Sequence, residues 1–167
     1  DVDGTVSAAL ISLWLRNFCI KPTIYIPDRE TEGYGPNIKA MNKLALNHSL
    51  IICVDCGTDT EDAIRGATER GVDVIVIDHH RSDTFSRSAY AVINPNRFDE
   101  KNVFRYLCAA GVVFIFLVEM NSIMPKNSSS NINLLSYLNL VSLATIADVV
   151  PLICLLYTSD AADELTS

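Results

Sequence analysis

Short apolar runs alternate along the chain with segments of helical periodicity. The runs at 23–26, 50–55, 72–77 and 90–93 are rich in aliphatic residues and are bounded by polar residues or Pro, which predicts strands. Apolar residues at helical spacing predict helices, listed in chain order as 5–18, 37–47, 60–70, 108–121 and 132–147. This alternation is typical of an α/β fold, and we expect a Rossmann-like parallel sheet covered by helices on both faces.

Acidic residues and histidines, which can bind metal or exchange protons, lie where these elements begin or end. The third predicted strand runs into an acid and two imidazoles, "VIVIDHH" at 74–80, and the second strand ends at Asp55. Asp1 and Asp3 precede the first predicted helix, and Asp148 closes the last one. Right-handed crossovers place the carboxyl ends of parallel strands along one edge of a sheet, so we expect these side chains to meet there.

Each of these residues also has an ordinary structural explanation. Asp1 or Asp3 can cap a helix, Asp55 can belong to a turn before Gly57, and Asp148 can cap the turn before Pro151. Together, however, so many acids and imidazoles at one edge would repel one another and lose hydration. A pair of divalent metal ions removes that repulsion and accounts for mixed oxygen and nitrogen ligands.

Composition changes this interpretation little. The chain has 167 residues, 49% of them hydrophobic and 20% charged, which predicts one globular domain. The formal net charge of −7 argues against nucleic-acid binding through a broadly basic surface. It leaves nucleic acid open as a ligand, because divalent cations on a carboxylate cluster reverse the local sign of the charge.

The cysteines and the long apolar stretch near the end argue against disulfides, a zinc site and a membrane span. Five cysteines without disulfide-dense spacing favour a reducing cytoplasm, and the pair Cys53 and Cys56 lacks the second pair that a zinc site needs. We expect these two thiols to be buried as small hydrophobic groups. Residues 134–157 are apolar enough to suggest a membrane span, but Asp148 and Pro151 interrupt them, so we expect a buried helix, a break and no membrane partner.

Four motifs in a fixed order resemble the DHH phosphoesterase superfamily. They are "DVDGT" at 1–5, "VDCGT" at 54–58, "VIVIDHH" at 74–80 and "TIADVVPL" at 145–152. Within the superfamily the sequence is most similar to the RecJ family of single-strand-specific 5′→3′ exonucleases, on the further evidence of "INPNR" at 93–97 and "LCAAGVVF" at 107–114. The resemblance covers residues 1 to about 152.

The resemblance implies a set of metal ligands. Asp1 and Asp3 would each hold one ion of a pair, Asp55 would bridge both ions, and His79 and Asp148 would complete the second site. The ions would be Mn²⁺ or Mg²⁺, because oxygen-rich sites suit both and an imidazole ligand favours manganese slightly. A catalytic set of Asp55, His79 and His80 follows.

The resemblance also implies how the substrate is held. His80 would contact the scissile phosphate, and Asp78 would orient a ligand rather than bind the metal itself. Asn94 and Arg97 are candidate phosphate or strand contacts, although a loop Asn-Pro is equally typical of a turn. The substrate would be single-stranded DNA or a short oligonucleotide, with release of 5′-mononucleotides during DNA repair and recombination, and a single-strand-binding protein is a further expected partner.

The resemblance predicts domain limits as well. Residues 1–152 would form a partial DHH domain that lacks the family's first strand and the acidic or His residue two positions before Asp1. The family's second, glycine-rich domain is also missing, so we expect weak metal binding and poor cleavage from this chain. Residues 153–167 lose the family pattern, and "CLLYTSDAADE" at 154–164 is similar to a translated sequencing adapter, which predicts an artefactual tail.

Two kinds of alternative stay open at this point. The first is another DHH phosphoesterase, namely an oligoribonuclease, a cyclic-dinucleotide phosphodiesterase or, as the weakest match, a manganese pyrophosphatase. The second is a non-catalytic nucleotide-binding domain, which has no need to keep every metal ligand.

Overall fold

The structure, a computed structural model, describes residues 1–101, 103–124 and 132–151. Its elements in chain order are α1 (Val2–Arg16), α2 (Ile38–Leu44), β1 (Leu50–Val54), α3 (Glu61–Thr68), β2 (Asp73–Ile77), β3 (Ala91–Ile93), α4 (Ala109–Ile123), a 3₁₀ turn (Leu134–Tyr137) and α5 (Leu138–Ala147). The predicted tail at 153–167 lies outside the described residues.

The three strands form one parallel sheet in the order β1-β2-β3. Leu50 pairs with Asp73 and Val54 with Ile77, and Ile77 in turn pairs with Ile93, so all three strands end at the same edge. The predicted parallel α/β sheet is confirmed. The motifs "VDCGT" and "VIVIDHH" both reach this common edge.

Alternate side chains of the strands build two apolar layers, one on each face of the sheet. Ile75 and Ile77 belong to the layer that contains apolar residues of α1, α4 and α5. Val74 and Val76 belong to the opposite layer, with residues of α2 and α3. Each fully buried aliphatic side chain of this kind stabilises the fold by about 1.5–3 kcal/mol, so the sheet is held from both sides.

The prediction of a strand at 23–26 is wrong. These residues form no strand, and Ile24 and Ile26 are exposed. A strand needs a neighbour for its main-chain groups, and here the described sheet ends at β1. The segment is held instead by His48, whose ring nitrogens lie 3.0 Å from the Thr23 hydroxyl and 2.8 Å from the Leu44 carbonyl.

Two helices also differ from their predicted limits. The first begins at Val2 rather than residue 5, which places Asp3 inside its first turn, and the predicted helix at 132–147 is a 3₁₀ turn followed by α5. None of the helices in the described ranges is long and apolar enough to cross a membrane. Cys53 is buried as expected, and burial raises the pKa of its thiol to about 12, whereas Cys56 is only partly buried.

Candidate metal centre

Three acids reach the sheet edge from three different elements. Asp55 follows β1 directly, and its backbone N–H donates to the carbonyl of Ile77, 2.9 Å away, which extends the sheet by one residue. Asp3 lies in the first turn of α1, and Asp148 is the residue at which α5 ends. Asp3 and Asp55 are only 2% and 6% exposed, so the centre is largely shielded from water.

These acids converge on one imidazole nitrogen. His79 Nε2 lies 3.4 Å from an Asp55 oxygen, 3.6 Å from an Asp3 oxygen and 3.7 Å from an Asp148 oxygen. The nitrogen is buried, and among the described residues it makes no hydrogen bond. A buried nitrogen that faces three carboxylates without a hydrogen bond has the donor set and surroundings that a divalent cation needs.

The charges at this point shift two pKa values. Burial lowers the pKa of His79, but the adjacent Asp55 carboxylate and the charges of Asp148 and Asp3 outweigh burial, so the net shift is upward. The pKa of Asp148 is raised, first by burial and then by the neighbouring charge of Asp3. Both shifts are typical of acidic groups that lie close together in a partly buried site.

The edge offers two overlapping ligand groups. Asp3, His79 and Asp148 form one group, and Asp55, His79 and His80 form the other. In each group the candidate ligand atoms all lie within 4.8 Å of one another. Carboxylate oxygens mixed with imidazole suit Mn²⁺ or Mg²⁺, and the two groups give room for more than one ion.

Asp78 holds the two histidines in place. One of its oxygens accepts hydrogen bonds from the backbone N–H of His79 at 2.8 Å and from the His80 Nδ1–H at 2.7 Å. The other accepts from the Thr58 hydroxyl at 2.7 Å. Burial alone would raise the pKa of Asp78, but the bonds from His80 and Thr58 lower it to about 2. These contacts support the predicted orienting role, which stays a prediction.

Asp1 stands apart from the converging set. It belongs to neither ligand group of the described residues, and its Oδ1 accepts the backbone N–H of Gly4 at 3.0 Å as the N-cap of α1. Its other oxygen lies 3.7 Å from the guanidinium of Arg29. The structure therefore gives Asp1 the helix-capping contact, and its role as a metal ligand stays a prediction.

The two candidate substrate contacts both have partners within the protein. Asn94 is buried, and its side-chain amide donates to the Thr58 hydroxyl and the His80 carbonyl, each at 2.9 Å. Arg97 forms a two-bond pair with Asp99 at 2.9 and 2.8 Å and donates to the Val92 carbonyl. These bonds support the loop around the histidines, and contact with substrate stays a prediction for both residues.

Sequence reasoning missed three residues beside the centre. The Tyr34 hydroxyl donates to the Asp55 carbonyl at 2.6 Å, and Thr58 supports Asp78. Gly4 lets the Asp55 carboxylate approach α1 closely, because a Cβ there would lie 3.0 Å from Asp55 Oδ2. The two glycines that flank Tyr34 in an acidic loop were the available signal. Gly4 and Thr58 belong to the motifs "DVDGT" and "VDCGT", but the sequence alone assigned no role to either residue.

The fold and this centre match a known class of protein. Residues 1–145 match the DHH family, N-terminal domain. The chain therefore belongs to the DHH family.

Particular relatives share most of this chain. The single-stranded-DNA-specific exonuclease RecJ of Escherichia coli strain K12 is 34% identical over 160 residues, and that of Bacillus subtilis strain 168 is 33% identical over 153 residues. A crystal structure of exonuclease RecJ bound to manganese matches with a TM-score of 0.75 and 30% identity over 91% of this chain. The similarity to RecJ that the motifs predict is confirmed.

The matches cover only part of each relative. The chain spans 28% of the Escherichia coli protein and 18% of the Bacillus subtilis protein, in each case through 91% of its own length. It likewise covers 37% of the manganese-bound RecJ chain.

Proposed function

We propose that this chain is the metal-binding part of a RecJ-like exonuclease that hydrolyses single-stranded DNA from its 5′ end and releases 5′-mononucleotides. The observation that carries the proposal is the convergence of Asp3, Asp55 and Asp148 on the buried Nε2 of His79. Support comes from the relatives, which are named as single-stranded-DNA-specific exonucleases, and from the manganese in a similar solved structure.

The ligand roles are part of the proposal. Asp1, Asp3, Asp55, His79 and Asp148 would hold Mn²⁺ or Mg²⁺, and two ions would share Asp55. When bound, the ions supply a water of lowered pKa and neutralise the charge that develops on the phosphate. Hydrolysis would consume one water molecule and break the bond between phosphorus and the 3′ oxygen, with the water oxygen left on phosphorus and a water proton on the 3′ oxygen.

The contacts of His80 support the proposed substrate role. Its Nδ1 is held by Asp78, its side chain is half exposed, and its ring lies beside Tyr34. Hydrogen bonding to Asp78 raises the pKa of His80, because the carboxylate stabilises the imidazolium. A cationic His80 would attract and orient a phosphate oxygen.

Metal binding tests the centre directly. Mn²⁺ is titrated into the chain by calorimetry, and we expect binding that Asp55→Ala weakens by at least tenfold, because it removes the bridging carboxylate. Asp73→Ala is the matched control, since Asp73 begins β2 at the opposite end from the histidines and is exposed. If Asp55→Ala binds the same number of ions as the wild type, the bridging assignment is wrong.

The substrate is tested separately. The chain with Mn²⁺ is incubated with 5′-phosphorylated single-stranded DNA, with short RNA and with a cyclic dinucleotide, and the products are separated by mass. We expect slow cleavage of the DNA to 5′-mononucleotides and loss of this cleavage in Asp55→Ala. Faster cleavage of RNA or of the cyclic dinucleotide would assign the chain to another DHH phosphoesterase, and Mn²⁺ binding without any cleavage would favour a nucleotide-binding role.

The cellular setting belongs to the same proposal. A RecJ-like exonuclease would act in DNA repair and recombination in the cytoplasm, on strands that a single-strand-binding protein also covers. The acidic chain would then depend on its metal ions, rather than on a basic surface, to bind the phosphates.

A further inference from the structure

Hydrogen bonds within the loop between α1 and α2 hold the part of it that precedes Tyr34. Asp28 Oδ1 accepts the backbone N–H of Thr31 at 3.0 Å, and the Asp28 carbonyl accepts that of Glu32 at 2.8 Å. The Glu32 carboxylate closes the loop, because it accepts from the Asp28 N–H at 2.9 Å and from the Tyr25 hydroxyl. These hydrogen bonds give the loop a defined shape.

Two glycines then direct one aromatic side chain toward the centre. Gly33 and Gly35 have φ angles of +82° and +77°, in the left-handed region that favours glycine, and Tyr34 lies between them. A Cβ at Gly35 would lie 3.6 Å from the Cβ of Cys56, so the loop comes close to the turn that follows β1. The chain therefore changes direction on both sides of Tyr34.

Tyr34 contacts two residues of the proposed machinery at once. Its hydroxyl donates to the Asp55 carbonyl at 2.6 Å and lies 3.4 Å from His80 Nε2. Its ring meets the His80 ring edge-on, with the centroids 5.9 Å apart and the planes at 78°. One side chain thus bridges the ends of β1 and β2.

The bond to Asp55 matters because of the backbone at that residue. Asp55 has a φ of +59°, which is uncommon for a residue other than glycine, and its carboxylate direction depends on this conformation. A hydrogen bond to its carbonyl fixes the peptide plane that follows and so fixes where the side chain is directed. Partners of this kind typically change metal affinity by about 10- to 100-fold.

We infer that Tyr34 is a positioning residue of the metal centre. Its hydroxyl holds the main chain of Asp55 in the conformation that directs the carboxylate toward the ions, and its ring confines His80 on the side from which the phosphate enters. This inference rests on the proposed function. It assigns the loop at 28–36 to the catalytic edge of the sheet.

The test compares two hydroxyl deletions in the same loop region. Tyr34→Phe removes the bond to Asp55 and keeps the ring, whereas Tyr25→Phe removes the bond to Glu32 and touches no residue of the centre. Mn²⁺ affinity is measured by calorimetry, and the bound ions are observed by electron paramagnetic resonance. Thermal unfolding without metal is recorded for every variant.

We expect Tyr34→Phe to bind Mn²⁺ about tenfold more weakly and to change the spectrum of the bound ions, because the Asp55 carboxylate is no longer fixed. Tyr25→Phe should keep the wild-type spectrum and an affinity within about twofold, and both variants should unfold close to the wild-type temperature. A loss of affinity that both variants share would overturn the positioning role in favour of general loop stability.

The remaining outcomes separate this inference from the proposed function. If the wild type binds Mn²⁺, Asp55→Ala does not, and Tyr34→Phe titrates like the wild type, the metal centre stands and the positioning role of Tyr34 is refuted. If the wild type binds no Mn²⁺, both the centre and the role of Tyr34 are refuted.

Discussion

At the scale of single residues, carboxylates are used in two different ways. Asp55 and Asp148 each place a carboxylate oxygen near His79 Nε2, at 3.4 and 3.7 Å. Glu61 is used differently, because its oxygens accept from the hydroxyls of Ser86 and Ser88 and from two backbone N–H groups. Bonds from Ser88 and Ser86 lower the pKa of Glu61 to about 2, so it anchors the loop that follows the histidines.

This anchor predicts a dependence of stability on pH. The folded-state pKa of Glu61 is depressed from 4.5, so its stabilisation is complete above about pH 4.5 and is lost as the pH falls toward 2. Glu61→Gln should lower the free energy of unfolding by about 1 kcal/mol at pH 7, a value limited by screening in water. The difference from the wild type should shrink below pH 4.5 in urea titrations. The exposed Glu30→Gln should show no such trend.

The sequence could indicate which residues lie near one another where they end predicted parallel strands. Asp55 and His79 were found because they end predicted strands, and the ends of parallel strands share an edge. The contact of Tyr34 depends on two left-handed glycines, and the capping contact of Asp1 depends on where α1 begins. The cap is a local contact that the sequence offered as one explanation of Asp1, whereas the Tyr34 contact is set by tertiary structure.

At the scale of elements, Asp3 joins the beginnings of two helices. Its oxygens accept the backbone N–H groups of Ala109 and Ala110 at 2.7 and 2.8 Å, across more than a hundred residues of sequence. A carboxylate at a helix N-terminus satisfies free N–H groups and complements the helix dipole. Asp3 therefore holds α4 against α1 as well as facing His79.

Replacing Asp3 should cost stability even without metal. Asp3→Asn places an amide N–H₂ against backbone N–H donors, and we expect the free energy of unfolding to fall by about 2 kcal/mol. Chemical denaturation in a chelating buffer measures this effect, with Asp73→Asn as the exposed control. A variant as stable as the wild type under these conditions would show that Asp3 serves only the metal centre.

The turn after β1 gives a second prediction about element packing. Gly57 has a φ of +111°, and a Cβ there would lie 3.2 Å from the Cβ of Cys53 and 3.3 Å from Val76 Cγ1. Gly71 has a φ of +80° with no atom within 4 Å of its added Cβ among the described residues. Gly71→Ala should cost about 1 kcal/mol from backbone strain alone, and Gly57→Ala about 1–3 kcal/mol more from overpacking. Equal losses in denaturation experiments would contradict the close packing at Gly57.

The strands could be predicted from their short aliphatic runs where a neighbouring strand was present to pair with them. The strands at 50–55, 72–77 and 90–93 formed within one or two residues of the predicted limits, because their aliphatic residues fit between two helical layers. The run at 23–26 has the same composition and formed no strand. Strand formation depends on a hydrogen-bonding neighbour, which composition does not reveal.

At the scale of the whole molecule, the candidate ligands come from parts of the chain that are far apart in sequence. Asp3, Asp55, His79 and Asp148 meet only when α1 and α5 have packed beside the sheet. An ion that binds this set therefore binds the folded state and not the unfolded chain.

Metal should consequently stabilise the entire fold. Mn²⁺ at about a hundred times its dissociation constant should add about 2.7 kcal/mol to the free energy of unfolding and raise the unfolding temperature. A chelator should reverse the effect, and Asp55→Ala should greatly reduce it. Scanning calorimetry with and without Mn²⁺ measures the shift. An equal rise in Asp55→Ala would indicate that manganese stabilises the chain at some other site.

The outer side of β1 has a consequence for slow motions of the sheet. Asp55 donates toward β2, and alternation along the strand directs the main-chain N–H groups of Ile52 and Val54 the other way, where the described chain provides no carbonyl partner. In deuterated solvent these two amides should lose their protons well before those of β2, which is paired on both sides. Asp55 therefore follows a strand at the edge of the described sheet, whose outward amides should exchange faster than those of β2.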